Sequence, residues 1–151
     1  MADLTVTISE SVSLNGQTRG SSNTITTSGI TDSFERLVPC SHSQTTTIAT
    51  FAATPHSGAG VFNLDVENTA YLRLTNLSAT DAVYLAVVGT ASNYTVKLRP
   101  GSSHMLFNGE DVFVAEADTS PGFTSYENLV RIDVRPAGSA DCQIEAFVAL
   151  T

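Results

Sequence analysis

Two short segments place a nucleophile type beside a base. Gly101-Ser102-Ser103-His104 is the chain's nearest approach to a Ser/His cluster. Nucleophilic hydrolysis needs Ser or Cys held beside a base with the nucleophile exposed. This segment is not a G-x-S-x-G elbow, and no strand-to-helix turn follows it. It reads as a polar turn entering a strand. Cys40-Ser41-His42 sets a thiol and an imidazole two residues apart, a spacing that strand geometry puts on one face. A zinc site needs three or four protein ligands, and His56 would have to be brought in by the fold. Glu110, Asp111, Glu116 and Asp118 form a local acidic patch. Carboxylate pairs serve glycoside hydrolysis or calcium binding, but no D-x-D-x-D-G loop accompanies them, and a solvated strand edge is the expected role. Tyr71, Tyr84, Tyr94 and Tyr126 fall mostly at strand positions and Trp is absent, which argues against an aromatic sugar platform. There is no glycine-rich phosphate loop. The expectation is a chain with no catalytic, cofactor-binding or metal site, and hence not an enzyme.

The elements that would carry such residues are strands. Leu4, Val6 and Ile8 alternate with Thr5, Thr7 and Ser9, the period-two pattern of a strand with one buried face. Val12 and Leu14 extend it to Asn15-Gly16, a tight-turn signal because both residues accept positive φ. Gln17 to Ser28 is polar apart from Ile25, and residues 1–28 are expected to form an N-terminal strand or arm and a polar loop, ordered by a neighbour. Residues 29–151 are expected to form a β-sandwich. Ile30 to Val38 should be extended and stop at Pro39. Thr45 to Ala53 follows, then a loop from Pro55 to Gly60, a strand from Val61 to Val66, and another around Tyr71, Leu72 and Leu74. Ala82 to Val88 is nearly continuous apolar, as for a central strand covered on both faces. Tyr94 to Leu98 runs into a Pro100-Gly101 turn. His104 to Phe107 and Val112 to Ala115 read as a hairpin about Asn108-Gly109. After a loop carrying Pro121-Gly122, Leu129 to Val134 and Cys142 to Leu150 close the chain. Only Ser125 to Val130 could make a helical turn.

Roughly ten strands with turn signals every 8–12 residues predict an all-β fold, an antiparallel sandwich of jelly-roll type with an N-terminal arm. An immunoglobulin-like sandwich fits less well, since Trp is absent and Cys40 and Cys142 lie too far apart. Those cysteines match no metal or redox spacing and read as buried, reduced small hydrophobes, with a disulfide left open.

Charge narrows the partners. The 151 residues carry a formal charge of -8, and only 15% are charged against a usual figure of about 25%. Lys97 is the only lysine, and six arginines are scattered along the chain. Binding to phosphates or to an anionic membrane depends on clustered cations, so neither nucleic acid nor membrane is an expected partner. Met1 to Glu10 lacks the basic start and apolar run of a secretory signal, and the expectation is a protein made in a cytoplasm. Asn76-Leu77-Ser78 and Asn93-Tyr94-Thr95 then read as chance matches to the glycosylation pattern.

Three segments carry a resemblance: LTVTISESVSLNGQTRG at the start, SGITDSFERLVPC with its Thr-rich sequel, and ENTAYLRLTNLSATDAVYLAVVG leading to KLRPGSSHML. They resemble small virion structural proteins of tailed bacteriophages, in particular jelly-roll capsid decoration or cement proteins. The resemblance implies a non-enzymatic building block of the virion, often a homotrimer, whose partners are the phage major capsid protein and further copies of itself. Two other roles remain beside it: a tail or neck component (tube, adaptor or fibre-base subunit), and a carbohydrate-binding module.

Overall fold

A computed structural model of the chain describes residues 1–54, 63–114 and 122–151. The expected loop from Pro55, the start of a strand at Val61, and His56, Glu116, Asp118 and Pro121 lie outside the described residues.

The architecture is all-β, with no helix among the described residues. The first four strands make a ribbon: β1 (Ala2–Ser9), β2 (Val12–Leu14), β3 (Gln17–Arg19) and β4 (Ser22–Ile30). β1 pairs antiparallel with β4, from Ala2 opposite Ile30 to Ser9 opposite Ser22. The Glu10 N–H donates to the Ser21 carbonyl at 2.8 Å, and β2 continues the pairing with β3. Asn15 and Gly16 close the ribbon with φ of 52° and 78°, the positive angles a tight hairpin turn requires. The polar stretch expected to be a loop is therefore strand. Its threonines are β-branched and suit a pleat whichever way they face.

Eleven strands follow: β5 (Asp32–Cys40), β6 (Thr46–Ala52), β7 (Asn63–Asp65), β8 (Thr69–Asn76), β9 (Val83–Val88), β10 (Asn93–Leu98), β11 (Ser103–Leu106), β12 (Phe113–Val114), β13 (Tyr126–Glu127), β14 (Arg131–Pro136) and β15 (Cys142–Leu150). One sheet has the order β11-β8-β15-β5 and the other β10-β9-β14-β6-β7. Leaving aside β7, β12 and β13, the pairing is nested. β5 pairs with β15, β6 with β14, β8 with β11 and β9 with β10, all antiparallel. Successive nested pairs fall in alternate sheets. β7 is added parallel to β6 at one edge, and β12 and β13 form a separate two-residue ladder.

The two sheets share one core. Ile48 and Phe51 of β6, Val83, Leu85 and Val87 of β9, and Ile132 and Val134 of β14 meet Leu72 and Leu74 of β8 and Ile144, Ala146 and Val148 of β15. Burying one such Leu, Ile or Val side chain stabilises the fold by about 1.5–3 kcal/mol. The chain is thus a β-sandwich, as the alternation predicts.

Several local expectations change. The strand expected from Ile30 to Val38 is divided at Thr31, and β5 does not stop at Pro39 but runs on to Cys40. Pro39 is tolerated because β5 is the edge of its sheet. β9 is covered on one face only: Val83, Leu85 and Val87 are fully buried, whereas Tyr84 is 43% exposed. The hairpin about Asn108-Gly109 does not form. β11 pairs with β8 and β12 with β13, and Gly109 lies buried against the loop at Val66. Ser125 to Val130 holds β13 rather than a helical turn.

Candidate interaction surface

The fold separates the residues of both nucleophile segments. In β11 successive side chains face opposite ways. The Ser103 hydroxyl is 2.8 Å from that of Thr75 on the outer face. His104 turns inward, with Nε2 3.0 Å from the Tyr94 hydroxyl. Phe113 meets the Tyr94 ring edge-on at a centroid distance of 5.8 Å. Burial lowers the His104 pKa and raises that of Tyr94. This is a polar contact in a partly apolar seam between β10 and β11, not a base aimed at a nucleophile.

Cys40 and His42 also part company. The strand ends at Cys40, whose thiol is buried and turned towards the Val38 carbonyl at 3.7 Å. His42 stands in the following turn, where its backbone N–H donates to Asp141 Oδ1 at 2.9 Å and ring Nδ1 lies 2.9 Å from the same oxygen. That backbone donor first, and the imidazole second, hold the Asp141 carboxyl below the usual range. The shared face expected from strand spacing is lost because the backbone stops being extended. Register brings Cys40 opposite Cys142 instead. Both thiols are free and buried, and burial pushes both pKa values up. They are not poised as nucleophiles, because the thiolate is the reactive form.

Glu110 and Asp111 are exposed in the loop after β11. Asp111 has φ of 50°, and its N–H donates to Asn128 Oδ1 at 3.1 Å. Among the described residues no group of three or more His, Cys, Asp or Glu side chains could hold a metal ion. A cleft of about 250 Å³ opens between the edge strands β5 and β7, with Phe34, Leu64 and Leu150 as its apolar lining and Asp32, Asp65 and Asn68 among its polar groups.

Two structural residues were not legible as such in the sequence. Asn76 is fully buried. Its amide donates to the carbonyls of Asp81 (2.8 Å) and Leu98 (3.3 Å), and its Oδ1 accepts from the Ser78 N–H (3.0 Å). The apparent glycosylation triplet is thus a turn clamp. Glu127 accepts from the Ala91 and Ser92 N–H groups at 3.1 Å and fixes the turn between β9 and β10.

What remains uncovered is surface. On the ribbon, alternation and register put Leu4, Val6, Ile8 and Ile25 on one face and Thr5, Thr7, Thr24 and Thr26 on the other. None of the ribbon's residues belongs to the core cluster. On the five-stranded sheet, Tyr84 stands between Lys97 and Arg135 in one row of register, with the Lys97 ammonium 5.9 Å from the ring centroid. Compared with known families, characterised proteins and solved structures, the chain matches none of them.

Proposed function

We propose that this protein is a non-enzymatic structural component of a tailed-phage virion: a decoration or cement protein that binds the outer face of the capsid lattice and stiffens it. The observation that carries this reading is the ribbon. Residues 2–30 pair only among themselves, lie outside the core cluster and carry apolar side chains that are half-buried along Leu4, Val6 and Ile8 and exposed at Val12 and Leu14. Exposed apolar side chains on a projecting ribbon suit docking to another protein. The nested pairing of eight strands across two sheets supports reading the body as a jelly roll. The acidic charge of -8 suits a particle's outer surface better than contact with packaged nucleic acid. The working unit in this reading is a homo-oligomer, with the major capsid protein as its partner.

The test is binding of the purified protein to empty expanded heads, read by co-sedimentation and a density map of the particle. Binding at a fixed ratio to the capsid lattice, with hundreds of copies per head, is the expected outcome. Particles with no matching density on the shell, or with only a ring of copies at the neck, overturn it.

A further inference from the structure

Cys40 and Cys142 are the chain's only thiols, and the fold sets them opposite each other. Cys40 ends β5, Cys142 opens β15, and both side chains belong to the core cluster. Directly opposed residues of an antiparallel ladder hold their Cα atoms about 4.5–5.5 Å apart. A disulfide spans Cα separations of about 4.4–6.8 Å. Besides burial, the closeness of Cys142 itself pushes the Cys40 pKa up.

A polar contact joins the same two strand ends just beyond the thiols. The His42 N–H donates to Asp141 Oδ1 at 2.9 Å, and the imidazole Nδ1 lies 2.9 Å from that oxygen. It holds the last pair of the ladder together where strand ends ordinarily fray. In the reduced state each thiol leans along its own strand. Cys40 donates to the Val38 carbonyl at 3.7 Å and Cys142 to the Ala140 carbonyl at 3.8 Å. A thiol is a weak donor, so rotation about each Cα–Cβ bond gives up little.

We propose that Cys40 and Cys142 close to a cross-strand disulfide in an oxidising medium and fasten the edge strand β5 to β15. The oxidant is a small-molecule disulfide such as oxidised glutathione. Cys142 is 5% exposed against 1% for Cys40, and its thiolate attacks one oxidant sulfur and expels one half. The Cys40 thiolate then attacks the Cys142 sulfur of the mixed disulfide and expels the other half. Each departing half takes up a proton equivalent to the one its attacking thiol lost. The chain's two thiols are oxidised, and the oxidant is reduced to two thiols. Burial keeps the thiolate fraction small, so the exchange is slow and proceeds when the strand ends open locally. Where glutathione is kept reduced, the pair stays as thiols. The bond closes a chain loop that contains β6 to β14, and closing a long loop restricts the unfolded chain most. This inference goes beyond the capsid reading and does not depend on it.

The experiment holds the folded full chain, without denaturant, in buffers of graded oxidised-to-reduced glutathione ratio. Free thiols are then blocked with N-ethylmaleimide, and intact mass, non-reducing electrophoresis and thermal melting are read. The expected product is a single chain lighter by two hydrogens that carries neither maleimide nor glutathione. Its melting midpoint lies several degrees above that of the reduced chain, and dithiothreitol reverses both changes. Cys142→Ala, melted with and without oxidant, shows no such rise. Three results overturn the proposal. One is thiols that stay reduced in excess oxidant until the chain is unfolded. Another is a glutathione adduct or a chain-to-chain disulfide as the end product. The third is an intrachain bond that leaves the midpoint unmoved or lowers it.

Discussion

The ribbon and the sandwich are written in the same alternating pattern, yet they end in opposite states. Val83, Leu85 and Val87 of β9 are fully buried. Leu4, Val6 and Ile8 of β1 repeat that spacing and stay half-buried, outside the core. Alternation reports that a strand has an apolar face. What covers the face depends on whether other strands of the same chain reach it. In the body the nested pairing closes a second sheet over the first, whereas the ribbon's stripe stays outside that shared core.

The sharpest way to break that comparison is to truncate one side chain in each part. Leu85→Ala or Ile132→Ala leaves a cavity between two sheets that cannot collapse onto each other, at a cost of about 2–5 kcal/mol. Val6→Ala should change the stability of the dilute protein by less than about 0.5 kcal/mol, as surface substitutions do. Denaturant unfolding of the three variants checks this. Comparable losses in both parts would mean that the ribbon is integral to the sandwich.

The same contrast explains how far the sequence could be read. Strand existence was legible from Leu4 to Ile8, from Val83 to Val87 and from Cys142 to Leu150, because alternation and short apolar runs are local properties. Asn15-Gly16 was legible as a turn because positive φ is a local demand. Partnership was not. Nothing near Phe113 announces that it pairs with Glu127, nor near Cys40 that it faces Cys142. Those choices are made by the core, which selects the register that buries the most apolar surface. The readings of single residues failed for the same reason. Cys40 and His42 were separated by the end of a strand, and Asn76 became a clamp because the body closes around it. Whether an apolar stripe ends in the core or outside it was not readable, since the two look alike in sequence.

The two Asn-Gly pairs offer a second, smaller test. A Cβ on Gly109 would sit 2.6 Å from the Val66 carbonyl oxygen, which is backbone and cannot swing aside. Gly109→Ala should therefore strain the contacts its N–H makes to Thr69 and its carbonyl makes to the Leu129 N–H. The expected cost to the body is about 1–3 kcal/mol, typical of overpacking. Gly16 has open space around it but φ of +78°, so Gly16→Ala costs about 1–2 kcal/mol of left-handed backbone strain. That cost is confined to the ribbon tip. Thermal melting should detect the first variant. The second should appear only as faster amide exchange in β2 and β3, with the body's transition unmoved.

The smallest expected effect is a pH dependence belonging to the body alone. Burial in the seam beside Tyr94 holds His104 below its ordinary pKa of about 6.5. The unfolded chain thus takes up that proton at a higher pH than the folded one, and stability rises with pH wherever the unfolded state binds more protons. The contribution is complete above about pH 6.5 and is lost as pH falls through the unfolded value towards the folded one. Melts between pH 7.5 and 5 should show a modest fall in midpoint. His104→Gln should flatten that slope. The ribbon contains no histidine, so the head binding proposed above should keep its apparent affinity over the same interval. Binding that titrates with His104 would tie it to the β10–β11 seam and erase the division between the two regions.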